Sequence, residues 1–318
     1  MSNATVTFAD IEAAAARIAP HAHGTPLLRS ASLDAIAGCR LLFKCENFQR
    51  AGAFKFRGAC NAVWSLSDAV AVRGVVTHSS GNHGAALALA AKTRGIPAHV
   101  VVPEGAVATK VAAIRAYGAT VHTCAPTLAA RDAMASGIER ATGATMVHPF
   151  TNMAVIAGQG TAALELIRKA GAIDSLIAPV GGGGLIGGSA IAAKALVPRI
   201  RIFAAEPEGA ADASESLRRG ERVTDLVPDT LCDGLRAAIG AINFDLLREH
   251  AVQALLASDA ETVAAMRLLW ERLKIVVEPS SAVALAAIVR HREHFAGRRV
   301  GVILTGGNVD LDHLPWSG

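Results

Sequence analysis

The sequence predicts an α/β protein in which open parallel sheets are covered by helices. Short runs rich in β-branched residues alternate with alanine-rich stretches over most of the 318 residues, and this alternation is typical of parallel sheets. Glycine stands where helical stretches end, as in Gly95-Ile96-Pro97 and Tyr117-Gly118-Ala119. A hydrophobic share of 52% against 18% charged residues predicts a compact chain, and its length allows one large or two medium domains.

The elements are predicted from these runs in chain order. The chain begins with a helix whose apolar residues have helical spacing, then a strand, and then a helix that follows a glycine-containing loop. Their ranges are 7–18, 40–45 and 54–66. Three strand–helix pairs follow, at 74–77 with 85–93, 98–102 with 109–117, and 120–122 with 128–141. The rest are helix 158–169, strand 176–180, helix 185–196, strand 200–205, helices 260–273 and 282–290, and strand 300–304.

Charge and cysteine content exclude several classes of protein. The formal net charge is +4, but the basic residues are scattered, so small anionic ligands such as phosphates and carboxylates are expected and nucleic acid is not. The five cysteines are odd in number, widely spaced and without a C-x-x-C pair. This pattern indicates neither a disulfide framework nor a zinc motif, and it favours reduced thiols in the cytoplasm.

No secretion or membrane segment is expected. Residues 1–19 contain Asp10 and Glu12 and lack the basic start of a signal peptide. Residues 176–193 carry no charge and imitate a membrane span, but Pro179 and four consecutive glycines would break a spanning helix. This stretch is therefore predicted to form a buried strand, a loop and a buried helix.

A run of four glycines, residues 181–184, stands between an apolar strand and an apolar helix. Glycines let the backbone approach an anion, and a helix N-terminus offers free N–H groups, so the run predicts a phosphate-binding loop. With Gly187 it also fits the dinucleotide pattern G-x-G-x-x-G, and Glu206 stands near the acid that this pattern expects. The pattern by itself leaves open a dinucleotide site and a tight turn without a ligand.

Three further features mark a candidate site. Residues 79–84, Ser-Ser-Gly-Asn-His-Gly, lie between a strand and a helix and suit a substrate carboxylate, although an ordinary helix cap explains the same residues. Thr305 follows the last apolar strand, where open α/β sheets bind ligands. Lys55 stands between Phe54 and Phe56. An apolar setting lowers the pKa of a lysine and makes its amine nucleophilic, whereas most lone lysines extend into solvent.

In this order the motifs resemble the fold-type II pyridoxal-phosphate enzymes, whose fold is that of the tryptophan synthase β chain, and in particular the serine/threonine dehydratase family. The similarity extends from about Thr25 to Trp316 and is greatest to the subgroup of serine racemases and 3-hydroxyaspartate dehydratases. The matching segments are 44–49, 52–58, 148–150, 157–161, 233–235 and 277–280. The resemblance implies a large domain of residues 1–65 and 149–318, a small inserted domain of residues 66–148, and an active site between these two open parallel-sheet domains.

The resemblance also implies a role for each motif residue. Lys55 would carry pyridoxal 5'-phosphate as a Schiff base and act as the base on one face, and Ser80 would act as acid or base on the other. The residues implied to contact the cofactor are Phe54, Lys55, Asn82, Gly181, Gly182, Gly183, Gly184, Leu185 and Thr305. Those implied to contact the substrate are Ser79, Ser80, Asn82, His83 and Arg131.

A metal site and an assembly are implied as well. Glu206, Ala210 and Asp212 match the divalent-cation site of the subgroup. Two carboxylates, a backbone carbonyl and waters suit a hard ion such as Mg2+, Ca2+ or Mn2+. A solvated loop with two acids is the alternative interpretation. A homodimer in the cytoplasm is expected.

The neutral Thr305 bears on the reaction, because a hydroxyl cannot force a proton onto the pyridine nitrogen as an aspartate would. This favours β-elimination of water. The resemblance therefore implies a dehydratase, an ammonia-lyase that converts threonine, serine or 3-hydroxyaspartate into a 2-oxo acid and ammonia. Serine racemase is the alternative because it shares Ser80 and the metal site. A nicotinamide-dependent oxidoreductase and a non-catalytic ligand-binding protein are more distant alternatives.

Two departures from the family pattern bear on the substrate. Thr151 and Asn152 follow Phe150, where relatives commonly have two aspartates. Arg236 stands in the segment after Asp233-Gly234 where racemase-type relatives have serines. The loss of two acids and the gain of an arginine favour a dianionic substrate, so 3-hydroxyaspartate is expected to compete with threonine and serine.

Overall fold

A computed structural model describes residues 5–316, which are organised by two parallel sheets. The strands are β1 (Leu27–Leu28), β2 (Arg40–Cys45), β3 (Val75–His78), β4 (Ala98–Pro103), β5 (Thr120–Cys124), β6 (Thr145–Met146), β7 (Ser175–Pro179), β8 (Arg201–Pro207), β9 (Gln253–Ala257) and β10 (Arg299–Leu304). The helices are α1 (Phe8–Ile18), α2 (Ala31–Ala37), α3 (Lys55–Trp64), α4 (Asp68–Ala71), α5 (Asn82–Arg94), α6 (Ala108–Ala116), α7 (Leu128–Thr142), α8 (Met153–Ala170), α9 (Gly184–Leu196), α10 (Asp212–Arg219), α11 (Ala241–Glu249), α12 (Asp259–Leu273) and α13 (Pro279–Arg290).

The larger sheet contains six strands in the order β1-β2-β10-β7-β8-β9. The pair of β1 and β2 is antiparallel, and the pairs that follow it are parallel. Strand β7 is buried along its whole length, as expected for a parallel strand covered on both faces. Because β10 and β7 are neighbouring parallel strands, Thr305 and the glycine run leave the sheet at the same edge.

The smaller sheet contains four parallel strands in the order β5-β4-β3-β6. All four lie between residues 75 and 146. Strand β3 ends at His78, so the turn with Ser79 and Ser80 leaves the carboxyl edge of the sheet and enters α5. Ligands of open α/β sheets bind at this edge. The division into domains at residues 66–148 stays a prediction.

The strands and helices predicted from the sequence are present, and residues 176–193 form β7, the glycine loop and α9 as expected. Among the helices of residues 5–316, none combines the length and apolarity needed to cross a membrane. Helix α8 begins earlier than predicted, at Met153, because the Asn152 side chain accepts the Val155 N–H and caps it. Strands β6 and β9 are not evident from the sequence: β6 has two residues, and the sequence of β9, Gln-Ala-Leu-Leu-Ala, is typical of a helix.

Helices α3, α8 and α9 pack in series through glycines. A Cβ atom on Gly158 of α8 would lie 2.7 Å from the carbonyl oxygen of Arg57 in α3. A Cβ atom on Gly188 of α9 would lie 2.3 Å from the carbonyl oxygen of Ile156 in α8. Only glycine permits such an approach of two backbones. Since α3 begins with Lys55 and α9 begins in the glycine run, this packing fixes the lysine relative to the predicted phosphate loop.

A buried ion network lies beside the first turn of α3. The fully buried Arg57 guanidinium donates to both oxygens of Glu46, at 2.7 and 2.8 Å, and to both oxygens of Glu165, at 2.7 and 2.9 Å. Lys44 is also fully buried and donates to Glu165 at 2.6 Å. Two cations therefore face two carboxylates, so each charge of this network has a partner.

Substitution of Arg57 by Met should destabilise the fold strongly. It would remove four hydrogen bonds from Glu46 and Glu165 and leave Lys44 to compensate both carboxylates, and breaking a buried pair costs about 3–5 kcal/mol. The free energy of unfolding in urea measures this. Arg168→Ala is the matched control, because Arg168 forms a half-exposed pair with Glu12 at 2.6 Å, and such pairs contribute about 1 kcal/mol or less. Equal effects of the two substitutions would contradict the prediction.

Candidate active site

Lys55 begins α3 in a loop that is hydrogen-bonded to the end of β10. The Phe54 N–H donates to the carbonyl oxygen of Thr305 at 2.9 Å. The Lys55 amine donates to the carbonyl oxygen of Pro149 at 3.2 Å and lies 5.0 Å from the centre of the Phe54 ring. Burial lowers the pKa of this amine to about 8, against the opposing effect of the Glu278 charge. The half-buried side chain points toward Pro149 rather than extending into solvent.

A chain of polar side chains lies beside Lys55. Asn82 donates to both oxygens of Glu278, at 3.0 and 3.2 Å, and accepts from Asn308 at 2.9 Å. Burial, together with the charge of Asp233, raises the pKa of Glu278 to about 7. The amide of Asn82 is thus engaged by protein groups, and its contact with the cofactor stays a prediction.

Thr305 presents a hydroxyl that the protein leaves unused. The residue is 4% exposed, and its hydroxyl has no hydrogen-bond partner within residues 5–316. An unpaired buried hydroxyl is unfavourable unless a ligand completes its hydrogen bonds. Its place beside the Lys55 loop, through the bond from the Phe54 N–H, brings the two predicted cofactor residues together.

The glycine run turns tightly from β7 into α9. Gly183 has a φ of +89°, which favours glycine. A Cβ atom on Gly182 would lie 2.3 Å from the Phe150 ring, so this ring packs directly on the loop. Asn243 donates to the carbonyl oxygens of Phe150 and Gly182, at 2.8 and 2.6 Å. Leu185 lies in the first turn of α9, so free N–H groups of the helix N-terminus face the loop.

The turn after β3 holds the predicted substrate residues. Ser79 and Ser80 are half-buried, and the hydroxyl of Ser79 accepts the Gly81 N–H at 3.4 Å. His83 is buried, and its Nε2 lies 3.2 Å from the carbonyl oxygen of Val147. A carbonyl only accepts, so the ring hydrogen is on Nε2 and Nδ1 is an acceptor. A substrate carboxylate would therefore meet the backbone N–H of His83 rather than its ring.

Two arginines predicted to meet the substrate follow this turn in the chain and belong to different segments. Arg131 lies in α7, where its Nε donates to the carbonyl oxygen of Thr127 at 3.4 Å, and the neighbouring Asp132 lies 3.3 Å from His78. Arg236 is exposed and donates twice to the carbonyl oxygen of Thr230, at 3.2 and 2.6 Å. The guanidinium of Arg236 is thus held by its own loop.

The predicted metal residues lie at the end of β8. Glu206 is fully buried and accepts the N–H groups of Ala213 and Ser214, each at 2.8 Å. Asp212 accepts the N–H of Ile239 at 2.8 Å. Burial raises the pKa of Glu206 to about 8 and that of Asp212 to about 6. Residues 5–316 contain no group of three or more His, Cys, Asp or Glu side chains that could hold a metal; the predicted site has two carboxylates and the carbonyl of Ala210.

These residues fit pyridoxal phosphate. A lysine amine of lowered pKa can form the covalent link. A glycine loop at a helix N-terminus suits a phosphate, and the unpaired hydroxyl of Thr305 suits a ring nitrogen. A dinucleotide fits less well, because the Glu206 carboxylate is buried against the start of α10 and does not face a ribose.

Two residues of the site are not evident as functional residues from the sequence. Asn243 clamps the glycine loop to Phe150, and Glu278 joins Asn82 to the Lys55 environment. Glu278 stands in a motif shared with the family, but its buried charge appears only in three dimensions. Nothing in the sequence around Asn243 signals its contact with a loop 61 residues away.

The comparisons with known proteins agree with this geometry. Residues 18–306 match the family model described as pyridoxal-phosphate dependent enzyme. The chain belongs to this family, and the predicted fold-type II resemblance is confirmed. The cofactor of the chain is pyridoxal phosphate, and a nicotinamide-dependent oxidoreductase is excluded as its class.

The relatives are similar over nearly the whole chain. The β-hydroxyaspartate dehydratase of Paracoccus denitrificans is 48% identical over 311 residues, which cover 98% of this chain and 99% of that protein. The serine racemase of Dictyostelium discoideum is 47% identical, with 98% of this chain and 97% of that protein covered. The structure of maize serine racemase superimposes with a TM-score of 0.95 at 44% identity, covering 97% of this chain and 95% of that one.

In the cofactor-free protein, the reaction of the Lys55 amine with acetic anhydride should increase with pH as expected for an amine whose pKa is about 8. At pH 7 about one Lys55 in ten would be uncharged, against about one in 2,500 for an ordinary lysine. The measurement is mass-spectrometric quantification of acetylated Lys55 between pH 6 and 10, with free lysine in the same sample as the control. A half-reaction point that coincides with that of free lysine would refute the lowered pKa.

Proposed function

We propose that this enzyme removes water from a β-hydroxy amino acid and releases a 2-oxo acid and ammonia, with 3-hydroxyaspartate as the preferred substrate. The observation that carries the proposal is the neutral, buried hydroxyl of Thr305 beside the Lys55 loop. The identity of 48% to a β-hydroxyaspartate dehydratase over almost the full length supports the choice of substrate.

Each residue would contribute a separate step. Bound pyridoxal phosphate acts as the electron sink when the substrate loses its Cα proton. The Lys55 amine would take that proton, and its pKa of about 8 suits a base near neutral pH. The β-hydroxyl would receive the proton that Lys55 took and leave as water. Hydrolysis of the remaining imine by another water molecule would then give the 2-oxo acid and ammonia.

The cleft would hold the rest of the substrate and the cofactor in place. The N–H groups at the start of α5 and the hydroxyls of Ser79 and Ser80 would bind the α-carboxylate. Phe54, Asn82, Leu185 and the four glycines would hold the cofactor. Thr305 would accept or donate a hydrogen bond at the ring nitrogen without charging it. Arg131 would approach the substrate from α7.

Serine racemisation is the second candidate function. Ser80 stands on the turn after β3, and the relatives include serine racemases at 47% and 44% identity. In that reaction Ser80 would return a proton to the opposite face of Cα. We further propose that Glu206, Asp212 and the carbonyl of Ala210 bind a divalent cation, preferably Mg2+. The two carboxylates are buried and accept only backbone N–H groups within residues 5–316, so a cation would compensate their charge. The cytoplasmic homodimer stays a prediction.

A substrate survey tests the reaction. The purified holoenzyme should release oxaloacetate from at least one stereoisomer of 3-hydroxyaspartate with a higher kcat/KM than it shows for pyruvate from serine or 2-oxobutyrate from threonine. Chiral chromatography of L-serine incubations measures D-serine in the same samples. Formation of D-serine faster than any 2-oxo acid would favour the racemase instead. Lys55→Ala should abolish both reactions.

Removal of the cation should destabilise the protein. A ligand that binds only the folded state at about 100 times its Kd adds about 2.7 kcal/mol, so EDTA should lower the Tm by a few degrees and Mg2+ should restore it. Asp212→Asn keeps an acceptor for the Ile239 N–H but removes a charge, so its Tm should no longer respond to Mg2+. Glu215→Gln, on the same helix, is the control and should respond as the wild type does. An Mg2+ response retained in Asp212→Asn would argue against this site.

A further inference from the structure

The His148 ring has one nitrogen that the protein uses and one that it leaves free. The N–H groups of Phe150 and Thr151 approach Nδ1 at 3.4 and 3.2 Å. Backbone amides only donate, so Nδ1 is the acceptor and the ring hydrogen is on Nε2. Within residues 5–316 the structure gives this Nε2–H no acceptor. A half-buried donor is therefore available to a ligand.

His148 lies next to the reacting atoms. The carbonyl oxygen of Pro149, the following residue, accepts from the Lys55 amine at 3.2 Å. In the proposed function this amine takes the proton from the substrate Cα, and a second carboxylate of the substrate stands two bonds from Cα. The loop that follows His148 also contains Thr151 and Asn152, which bear no charge that would repel an anion.

The surroundings of the ring carry little negative charge that would repel an anion. His148 packs edge-on against His78 at 5.2 Å between ring centres, and Lys55 and His83 lie nearby. Burial, His78 and Lys55 lower the pKa of His148 to about 4, although Asp132 opposes them. Asp132 lies 3.3 Å from His78, so the one acid that acts on His148 has a partner.

We propose that His148 determines substrate specificity by donating its Nε2–H to the second carboxylate of 3-hydroxyaspartate. This inference rests on the proposed function and names the residue that selects a dicarboxylic substrate. Arg236 fills this role less well, because Thr230 already accepts two of its donors. His148 is linked to α7 through His78, which packs on its ring and lies 3.3 Å from Asp132, the neighbour of Arg131 in the chain.

Two substitutions at His148 distinguish the acceptor role of Nδ1 from the donor role of Nε2. Asn places an oxygen near the position of Nδ1 and keeps the acceptor for Phe150 and Thr151, but it lacks a donor at Nε2. Gln carries an amide nitrogen that reaches as far as Nε2. His148→Asn should therefore lower kcat/KM for 3-hydroxyaspartate by about tenfold more than for L-serine. The free energy of one hydrogen bond to a charged group corresponds to a factor of about ten. The loss should lie mainly in KM, and His148→Gln should recover part of the ratio.

Two controls keep the outcome clear. His122→Asn removes a half-buried histidine of β5 that is bonded to His99 at 3.1 Å outside the cleft, and it should leave the ratio unchanged. Calorimetry on the holoenzymes compares binding of succinate, a dicarboxylate, with binding of propionate. His148→Asn should weaken succinate about tenfold and leave propionate nearly unchanged.

Equal losses for both substrates and for both acids would overturn the role of His148 while leaving the lyase reaction intact. A wild-type enzyme without lyase activity would instead overturn the proposed function. The succinate comparison would then decide on His148 by itself: selective weakening in His148→Asn supports it, and unchanged binding refutes it. Melting curves of each variant verify that the fold is retained.

Discussion

The close packing of α3 on α8 and of α8 on α9 is the constraint on which the site depends. Gly158 and Gly188 stand where a Cβ atom would lie within 2.7 and 2.3 Å of a carbonyl oxygen of the next helix. Lys55 begins α3 and the predicted phosphate loop leads into α9, and these are the two outer helices of this stack. A side chain at either glycine would push these helices apart and change the position of Lys55 relative to the glycine loop. Residues outside the predicted site therefore set the relative positions of the predicted catalytic lysine and the predicted phosphate loop.

The ion network around Arg57 compensates a buried positive charge close to Lys55. A cation buried two residues after Lys55 would repel the lysine amine and lower its pKa further if it had no partners. Because Glu46 and Glu165 hold four hydrogen bonds to the guanidinium, its charge is compensated locally. The pKa of Lys55 then reflects its own burial and the charge of Glu278. Arg57, which stabilises the fold, and Lys55, the predicted reactive lysine, can thus lie in the same turn of α3.

The cleft combines neutral donors with few acids. Thr305 offers a hydroxyl without charge, and His78, His83 and His148 all have lowered pKa values because they are buried together. Glu278, the buried acid beside Lys55, is bonded to Asn82. A substrate with one or two carboxylates meets N–H and O–H donors and little repulsion. This electrostatic arrangement agrees with the proposed preference for a hydroxy amino acid with an additional carboxylate, and the proposed donor on His148 would add to it.

The sequence by itself determined the fold class and the main candidates. Alternation of β-branched and alanine-rich runs is a local property, and so are the glycine run after β7 and the serine turn after β3. Lys55 and Thr305 were likewise identified from motifs, because the family pattern preserves their order along the chain. The tertiary structure alone decided what joins them. Two-residue β6 and helix-like β9 become strands by pairing with β3 and β8. Asn243, Glu278 and the free Nε2–H of His148 acquire their roles from contacts between segments far apart in the chain or from the path of a loop, and burial and hydrogen-bond direction are properties that no local pattern encodes.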